Sequence, residues 1–290
     1  MKKFIKYINI FIELGKVRIT LFVAVSTSAG YILASGNIAW QMILPSLGVF
    51  ILACGSSAIN HLQESRTDGM MNRTKMRPLP SGSLKESHAI IFIILSVSAG
   101  LLLLYLFNGI IAAGLGVIAV LWYNAFYTPL KKITAMAVVP GALIGSIPPM
   151  IGYVSGGGNL LNPEIIALAL FFFIWQIPHF WLLLLLYEKD YEKAGFPTLT
   201  KMFSSEQLCR ITFTWIVALA VSCIMIPFFG IVNNPVINIL LIALGLWLIW
   251  KTRKLISIQY SRMTFRFAFR EINTFVLIVV VLLSVNKLFY

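Results

Sequence analysis

Long apolar runs separated by short polar links set the rhythm of the chain. Segments of roughly 20 residues, the length a helix needs to cross a bilayer core, recur near 18–35, 41–62, 88–107, 109–127, 135–154, 163–187, 208–230, 234–251 and 271–289. The pattern predicts an all-α polytopic membrane protein with nine transmembrane helices. The division at Asn108-Gly109 is the least marked, because the runs on either side of it can also be read as one long helix.

The polar links test that count. With the N-terminus inside, all but one of the 23 lysines and arginines fall in inner segments, and only Lys287 lies outside. The outer links (ASGNIAWQ, FNG, SGGGNLLNP and GIVNNP) are short and uncharged apart from Glu164. This is the positive-inside arrangement, and a wrong helix count would scramble it. It predicts a cytoplasmic N-terminus and an outer C-terminus. The opening MKKFIKYINIFIELGKVRIT starts as a signal peptide would, but it lacks a small-residue cleavage site and is interrupted by Glu13, Lys16 and Arg18. Residues 1–17 therefore read as an interfacial amphipathic segment leading into the first span. No transit peptide is evident, which favours a bacterial inner (plasma) membrane over an organelle.

Composition agrees with the bilayer as solvent. Of 290 residues 59% are hydrophobic and only 11% charged, against about a quarter charged in soluble domains. Basic inner loops account for the net charge of +13 without a nucleic-acid partner. Cys54, Cys209 and Cys223 show no paired or metal-ligand spacing and read as reduced structural residues. Residues 1–290 are expected to form a single domain. Its two inner loops at 63–87 and 188–207 differ from the others in mixing acids with bases. Each follows a span four removed from the other, which hints at two related four-helix halves with a ninth helix appended.

Candidate chemistry sits in those loops. In NHLQESRTDGMMNRTKMRPLPSG, Asn60, Glu64 and Asp68 recur at four-residue spacing, so a helix continuing to Asp68 stacks them on one face. Three oxygen-bearing side chains at a membrane boundary make poor lipid contacts and a good hard-cation site, and Mg2+ takes a few carboxylate oxygens together with water and phosphate oxygens. Arg73, Lys75 and Arg77 follow, forming a receptor for a polyphosphate. In PHFWLLLLLYEKDYEKAGFPTL, His179 lies within the sixth span, and Glu188, Asp190, Tyr191 and Glu192 follow near its inner end. Asp190 is a second candidate cation anchor. Tyr127, Lys131 and Lys132 mark the inner end of the fourth span. In the fifth, Pro140, Gly141, Gly145, Pro148 and Pro149 loosen the backbone and can widen a cavity. Acidic loops and basic residues at one mouth of a helical bundle imply a diphosphate whose apolar tail lies in the membrane. That is the shape of a polyprenyl diphosphate, ionising to an allylic cation that aromatic side chains could shield.

The motif Asn60-x3-Glu64-x3-Asp68 followed by MNRTKMRPLPSG resembles the first signature of the UbiA-type intramembrane prenyltransferases. With YTPLKKIT, GALIGSIPPMIGY, WQIPHFWLLLLLYEKDYEKAGFPTL and LGKVRITL, it is similar more narrowly to their haem O synthase (protohaem IX farnesyltransferase) branch. The resemblance runs over roughly residues 13–200. It implies a UbiA-type bundle whose central cavity opens to the cytoplasmic side, and transfer of farnesyl from farnesyl diphosphate to a vinyl group of haem b with addition of water. It also implies Mg2+ held by Asn60, Glu64, Asp68 and Asp190, with Arg73, Lys75, Arg77, Lys131 and Tyr127 facing diphosphate. His179 and Tyr191 would line the acceptor pocket, and a haem A synthase or oxidase assembly factors would be neighbours. Glu64 stands where many members carry Asp, and Leu186 sits four before Asp190, where quinone-type members carry an aspartate. That departure favours the haem branch over a quinone or other aromatic precursor, and leaves the second cation site open. A transporter would place its polar residues deep in broken helices rather than at one mouth.

Overall fold

The structure, a computed structural model, describes residues 2–257 and 262–289; Met1, residues 258–261 and Tyr290 lie outside the described residues. Every regular element among the described residues is helical. The principal ones are α1 (Lys2–Leu14), α2 (Val17–Ser35), α3 (Ile43–Met70), α4 (Glu86–Val120), α5 (Leu143–Ser155), α6 (Pro163–Leu186), α7 (Glu188–Lys193), α8 (Ser205–Met225), α9 (Pro235–Thr252) and α10 (Arg262–Phe289). Large apolar side chains such as Phe22, Ile110 and Phe228 are exposed. An apolar surface of this extent suits lipid and would be an aggregation hazard in water. The chain is a multi-pass membrane protein.

Eight helical stretches among the described residues are long and apolar enough to cross a membrane, where the sequence pattern gives nine. The difference lies in one stretch, Glu86–Leu130, which runs for 45 residues. Gly109 interrupts it with φ 82 and ψ 178, a conformation open to glycine and costly for other residues. A straight helix would separate residues 104 and 116 by about 18 Å. Here a methyl group on Gly116 would stand 3.0 Å from Leu104 Cδ1, so α4 doubles back at Gly109 as a helical hairpin.

Close backbone approach fixes the pairing of α2 with α5. A Cβ on Gly30 would overlap the Pro149 carbonyl oxygen, and one on Gly152 would overlap that of Thr27. Small residues let membrane helices pack this tightly, where apolar burial alone gives little drive. The largest buried cluster joins α6, α8, α9 and α10 through residues such as Phe171, Trp181, Ile216, Leu241 and Phe275. Proline at the first helical position opens α6 and α9, and Ser204 with Gln207 closes a capping box on α8. The amphipathic α1 buries Ile10 and Leu14 and exposes Tyr7, Ile8 and Ile12, its Phe11 ring meeting Phe92 of α4 at 5.3 Å.

Two boundaries matter for function. The helix expected to end near 62 continues to Met70 as α3, carrying Asn60, Glu64 and Asp68 on one helical face. The last helix begins at Arg262 rather than near 271, so Arg266 and Arg270 are helical.

Candidate active site

Asn60, Glu64 and Asp68 are buried, at 2%, 4% and 2% exposure. Acids so placed need partners, and each has one. Lys131 Nζ lies 2.7 Å from both carboxylate oxygens of Glu64. Arg77 Nη1 donates to Asp68 Oδ2 at 2.7 Å. Lys16 Nζ donates to Asn60 Oδ1 at 3.1 Å, while Asn60 Nδ2 donates to Glu64 Oε2 at 3.0 Å and to Thr128 Oγ1 at 3.2 Å. Three basic side chains thus surround two acids, a surplus suited to an incoming anion.

Local backbone chemistry delivers these groups. Residues Leu121–Tyr127 form a π-helical turn, a widening that concentrates at functional sites. Pro129 has no N–H to offer the preceding turn, and the Asn124 carbonyl accepts instead from Gln63 Nε2 at 3.0 Å. Asn124 is also locked to α3 by Ser56 Oγ, which donates to its Oδ1 at 2.6 Å. The turn therefore ends with Lys131 over Glu64. Lys16 arrives by a strained route, with φ 48 and ψ 45, a left-handed conformation uncommon outside glycine. Gly15 before it packs on Cys54, and Ser57 Oγ donates to the Leu14 carbonyl at 3.3 Å.

Burial works against the charge on Lys131, yet the Glu64 carboxylate and the nearby tyrosine hydroxyls hold its pKa above the usual lysine value. Lys16 goes the other way. Burial, then the neighbouring Arg77 and Lys131, pull it down to about 7.

Asp190 ties the two acidic loops together. Its Oδ1 accepts from the backbone N–H of Asn72 at 3.3 Å and its Oδ2 from that of Arg73 at 3.1 Å. The Arg73 guanidinium lies 4.7 Å above the Tyr187 ring, and Met71 packs with Ala194 and Phe196. Arg73 and Lys75 are exposed at this rim, whereas Arg77 and Lys131 belong to the buried cluster. Tyr191 meets Phe196 edge-on at 5.6 Å.

An aromatic path leads inward from Lys131. Its Nζ is 5.6 Å from the Tyr127 ring, whose Cδ2 and Cε2 atoms press against Gly141 and which stacks with Tyr123 and Phe180, both at 5.8 Å. Phe180 in turn touches the His179 ring at 5.8 Å. His179 Nδ1 hydrogen-bonds Asn273 Oδ1 at 2.8 Å.

A model of the UbiA prenyltransferase family matches residues 23–278. The chain belongs to that family. It is 34% identical to Protoheme IX farnesyltransferase of Nitratidesulfovibrio vulgaris (strain DP4), over 80% of this chain and 81% of that one. It is 37% identical to Protoheme IX farnesyltransferase of Geobacter sulfurreducens, over 74% of this chain and 79% of that one. Among solved structures, a UbiA homolog from Archaeoglobus fulgidus bound to GPP and Mg2+ superposes with a TM-score of 0.66 at 16% identity, covering 95% of this chain and 99% of that one. At that identity the likeness is one of fold.

Within this UbiA-family bundle, the sequence motif of α3 is assembled with Arg77 and Lys131, and Asp190 reaches the same loops from α7. No group of three or more His, Cys, Asp and Glu stands gathered for a metal among the described residues. The donors on the α3 face are two carboxylates and one amide oxygen, a hard but incomplete set. Mg2+ accepts such a set when water and phosphate oxygens fill its other positions, so these residues fit a metal that arrives with a diphosphate. The sequence reading did not single out Lys16, Asn124, Gln63 or Asn273. Lys16 was marked only as a charge interrupting the apolar opening, and the others are polar residues in or beside apolar spans, each costly there without a partner.

Proposed function

We propose that this UbiA-family protein is a haem O synthase: it transfers the farnesyl group of farnesyl diphosphate to a vinyl group of haem b, with addition of water. The observation that carries this reading is the continuous line from the basic cluster at Lys131, through the Tyr127 and Phe180 rings, to His179. It offers a basic site for an anionic head, an apolar cation-shielding path and an imidazole beyond it. The relatives named Protoheme IX farnesyltransferase support it.

In this reading Lys131, Arg77 and Lys16 receive the diphosphate, with Arg73 and Lys75 guiding it at the rim. Mg2+ held by Asn60, Glu64 and Asp68 would neutralise further phosphate charge when bound, as Mg2+ does for phosphoryl oxygens generally. The bond between farnesyl C1 and oxygen breaks and its electron pair leaves with diphosphate, whose charge the lysines and arginines hold. Tyr127, Tyr123 and Phe180 face the allylic cation with their π clouds. The terminal vinyl carbon of haem b attacks C1, and the cation left beside the porphyrin takes up water and loses a proton. Tyr191, against Phe196 beside Lys131, would stand at the diphosphate end rather than beside His179. The site opens to the cytoplasm of a bacterial inner membrane crossed nine times, α4 counting twice.

The test is incubation of detergent-solubilised protein with haem b, farnesyl diphosphate and Mg2+, read by mass spectrometry. Haem O is the expected product, lost when Mg2+ is chelated. No product from haem, with product from 4-hydroxybenzoate or a naphthoate, would overturn the acceptor assignment.

A further inference from the structure

Gln176 carries an amide into the middle of α6, about 15 Å along the axis from the helix end at Leu186. That is near the centre of a bilayer core about 30 Å thick. The side chain is half-buried and makes no hydrogen bond among the described residues. Its place is fixed by α5. A Cβ on Gly145 would stand 2.9 Å from Gln176 Oε1, so the amide oxygen lies against the Gly145 backbone. The register of the two helices is pinned by Ser146 Oγ, which donates to the Ala169 carbonyl at 2.9 Å, and by Tyr153 Oη, which donates to Glu164 Oε2 at 3.1 Å.

A second polar group lacks its usual partner at the same spot. In an unbroken helix the Gly145 carbonyl would accept from the N–H of residue 149, but Pro149 has none, and Pro148 removes the donor one position nearer. Polar groups left unmet in a membrane interior are costly. An ordered water needs at least two polar partners, and here an amide oxygen and a carbonyl oxygen stand together.

The spot also lies on the reaction path. Gly141 and Gly145 are one helical turn apart; the Tyr127 ring presses on the first and Gln176 on the second. On α6, Phe180 stacks with Tyr127 at 5.8 Å and is itself one turn from Gln176. The amide therefore lies one turn, about 6 Å, beyond the rings assigned to the allylic cation.

We propose that Gln176 is the positioning residue for the water added to the product. The water donates one hydrogen to Gln176 Oε1 and the other to the Gly145 carbonyl, which turns its lone pairs outward. This deepens the haem reading and rests on it. Once the terminal vinyl carbon has bonded farnesyl C1, the inner vinyl carbon holds the positive charge. The water oxygen bonds to that carbon, and one of its protons passes to the diphosphate released in the first step, so no further reactant is consumed. Without an oriented water the same cation discharges by losing a proton from the new CH2 group, giving an alkene lighter than haem O by one water.

The experiment incubates the full-length protein in detergent with haem b, farnesyl diphosphate and Mg2+ in water enriched in heavy oxygen, and reads the ratio of hydroxylated to alkene product by mass spectrometry. The wild type is expected to give haem O carrying the heavy oxygen. Gln176→Met should lower the ratio about tenfold or more, the factor that one hydrogen bond carries. Gln176→Glu, which keeps an acceptor oxygen, should restore it. Gly145→Ala should lower it too, because the methyl group meets only the end of a flexible side chain and moves the amide without unfolding the bundle. A merely structural role would change total turnover and leave the ratio as it was. An unchanged ratio in Gly145→Ala and in Gln176→Met, or wild-type haem O without the heavy oxygen, would overturn the water site and leave farnesyl transfer to haem intact. A wild type that prenylates another acceptor and not haem would overturn both.

Discussion

Lys131 Nζ sits midway between the two carboxylate oxygens of Glu64, 2.7 Å from each, and so joins the end of the α4 hairpin to the buried face of α3. Removing one member of a buried pair strands the other charge, at about 3–5 kcal/mol. Glu64→Gln and Lys131→Met should each lower unfolding stability by amounts of that order, and the double variant by less than their sum. Turnover in both single variants should fall by at least about a hundredfold, the cost of losing one well-placed electrostatic group. Denaturant melts in detergent and steady-state kinetics check both. Additive losses would mean that the two residues act separately.

Much of this site was legible because its physics is local. The four-residue spacing of Asn60, Glu64 and Asp68 survives any uncertainty about neighbouring helices, provided that α3 continues, and it does to Met70. Segregated basic residues likewise divided the links into a basic and a nearly uncharged set without any knowledge of packing. What stayed hidden depends on contacts distant in sequence. Lys16 reaches Asn60 only because Gly15 nests on Cys54, and Asn273 meets His179 across 94 positions. The π turn depends on Pro129 and on an amide from α3, and no hydropathy window detects it. The division at Gly109 was visible as an Asn-Gly pair, but the fold-back needed the Leu104 to Gly116 contact.

The depressed Lys16 pKa gives a pH signature. Its folded value of about 7 lies below the ordinary 10.5, so between those values the unfolded chain binds a proton that the folded chain does not. Lys16 therefore makes stability rise with pH across that window and adds no slope below it. Diphosphate favours the charged lysine, so binding takes up a proton near neutrality. Affinity for a non-hydrolysable farnesyl diphosphate analogue should gain from Lys16 as pH falls from about 8.5 to 6.5. Lys16→Arg, charged throughout, should flatten that component, and calorimetric titration of both proteins separates it from titration of the ligand. Identical pH profiles would remove Lys16 from the diphosphate site.

Packing of α2 on α5 makes a purely steric prediction. Gly152→Ala would drive a methyl group into the Thr27 carbonyl, and Gly30→Ala one into that of Pro149. Neither obstacle is a flexible side chain, so the helices must separate. Each change should cost about 1–3 kcal/mol or more, seen as a lower melting temperature. Gly114→Ala, which meets open space, serves as the control, since alanine also favours the helix.

Asp190 separates two roles that its sequence position leaves merged. Both of its oxygens accept backbone N–H groups of the first loop, at Asn72 and Arg73, a structural role distinct from holding Mg2+. A clasp of this kind sets the position of Arg73 and of the turn leading to Arg77. Asp190→Asn retains one acceptor oxygen and should lose about one hydrogen bond, or about 1 kcal/mol, raising KM for farnesyl diphosphate about fivefold. Asp190→Ala loses both bonds and should raise KM further, with faster proteolysis between Met71 and Gly82. The Mg2+ concentration for half-maximal turnover should move little in either variant. A large rise in that concentration, with the loop as resistant to protease as before, would show that Asp190 serves the metal instead.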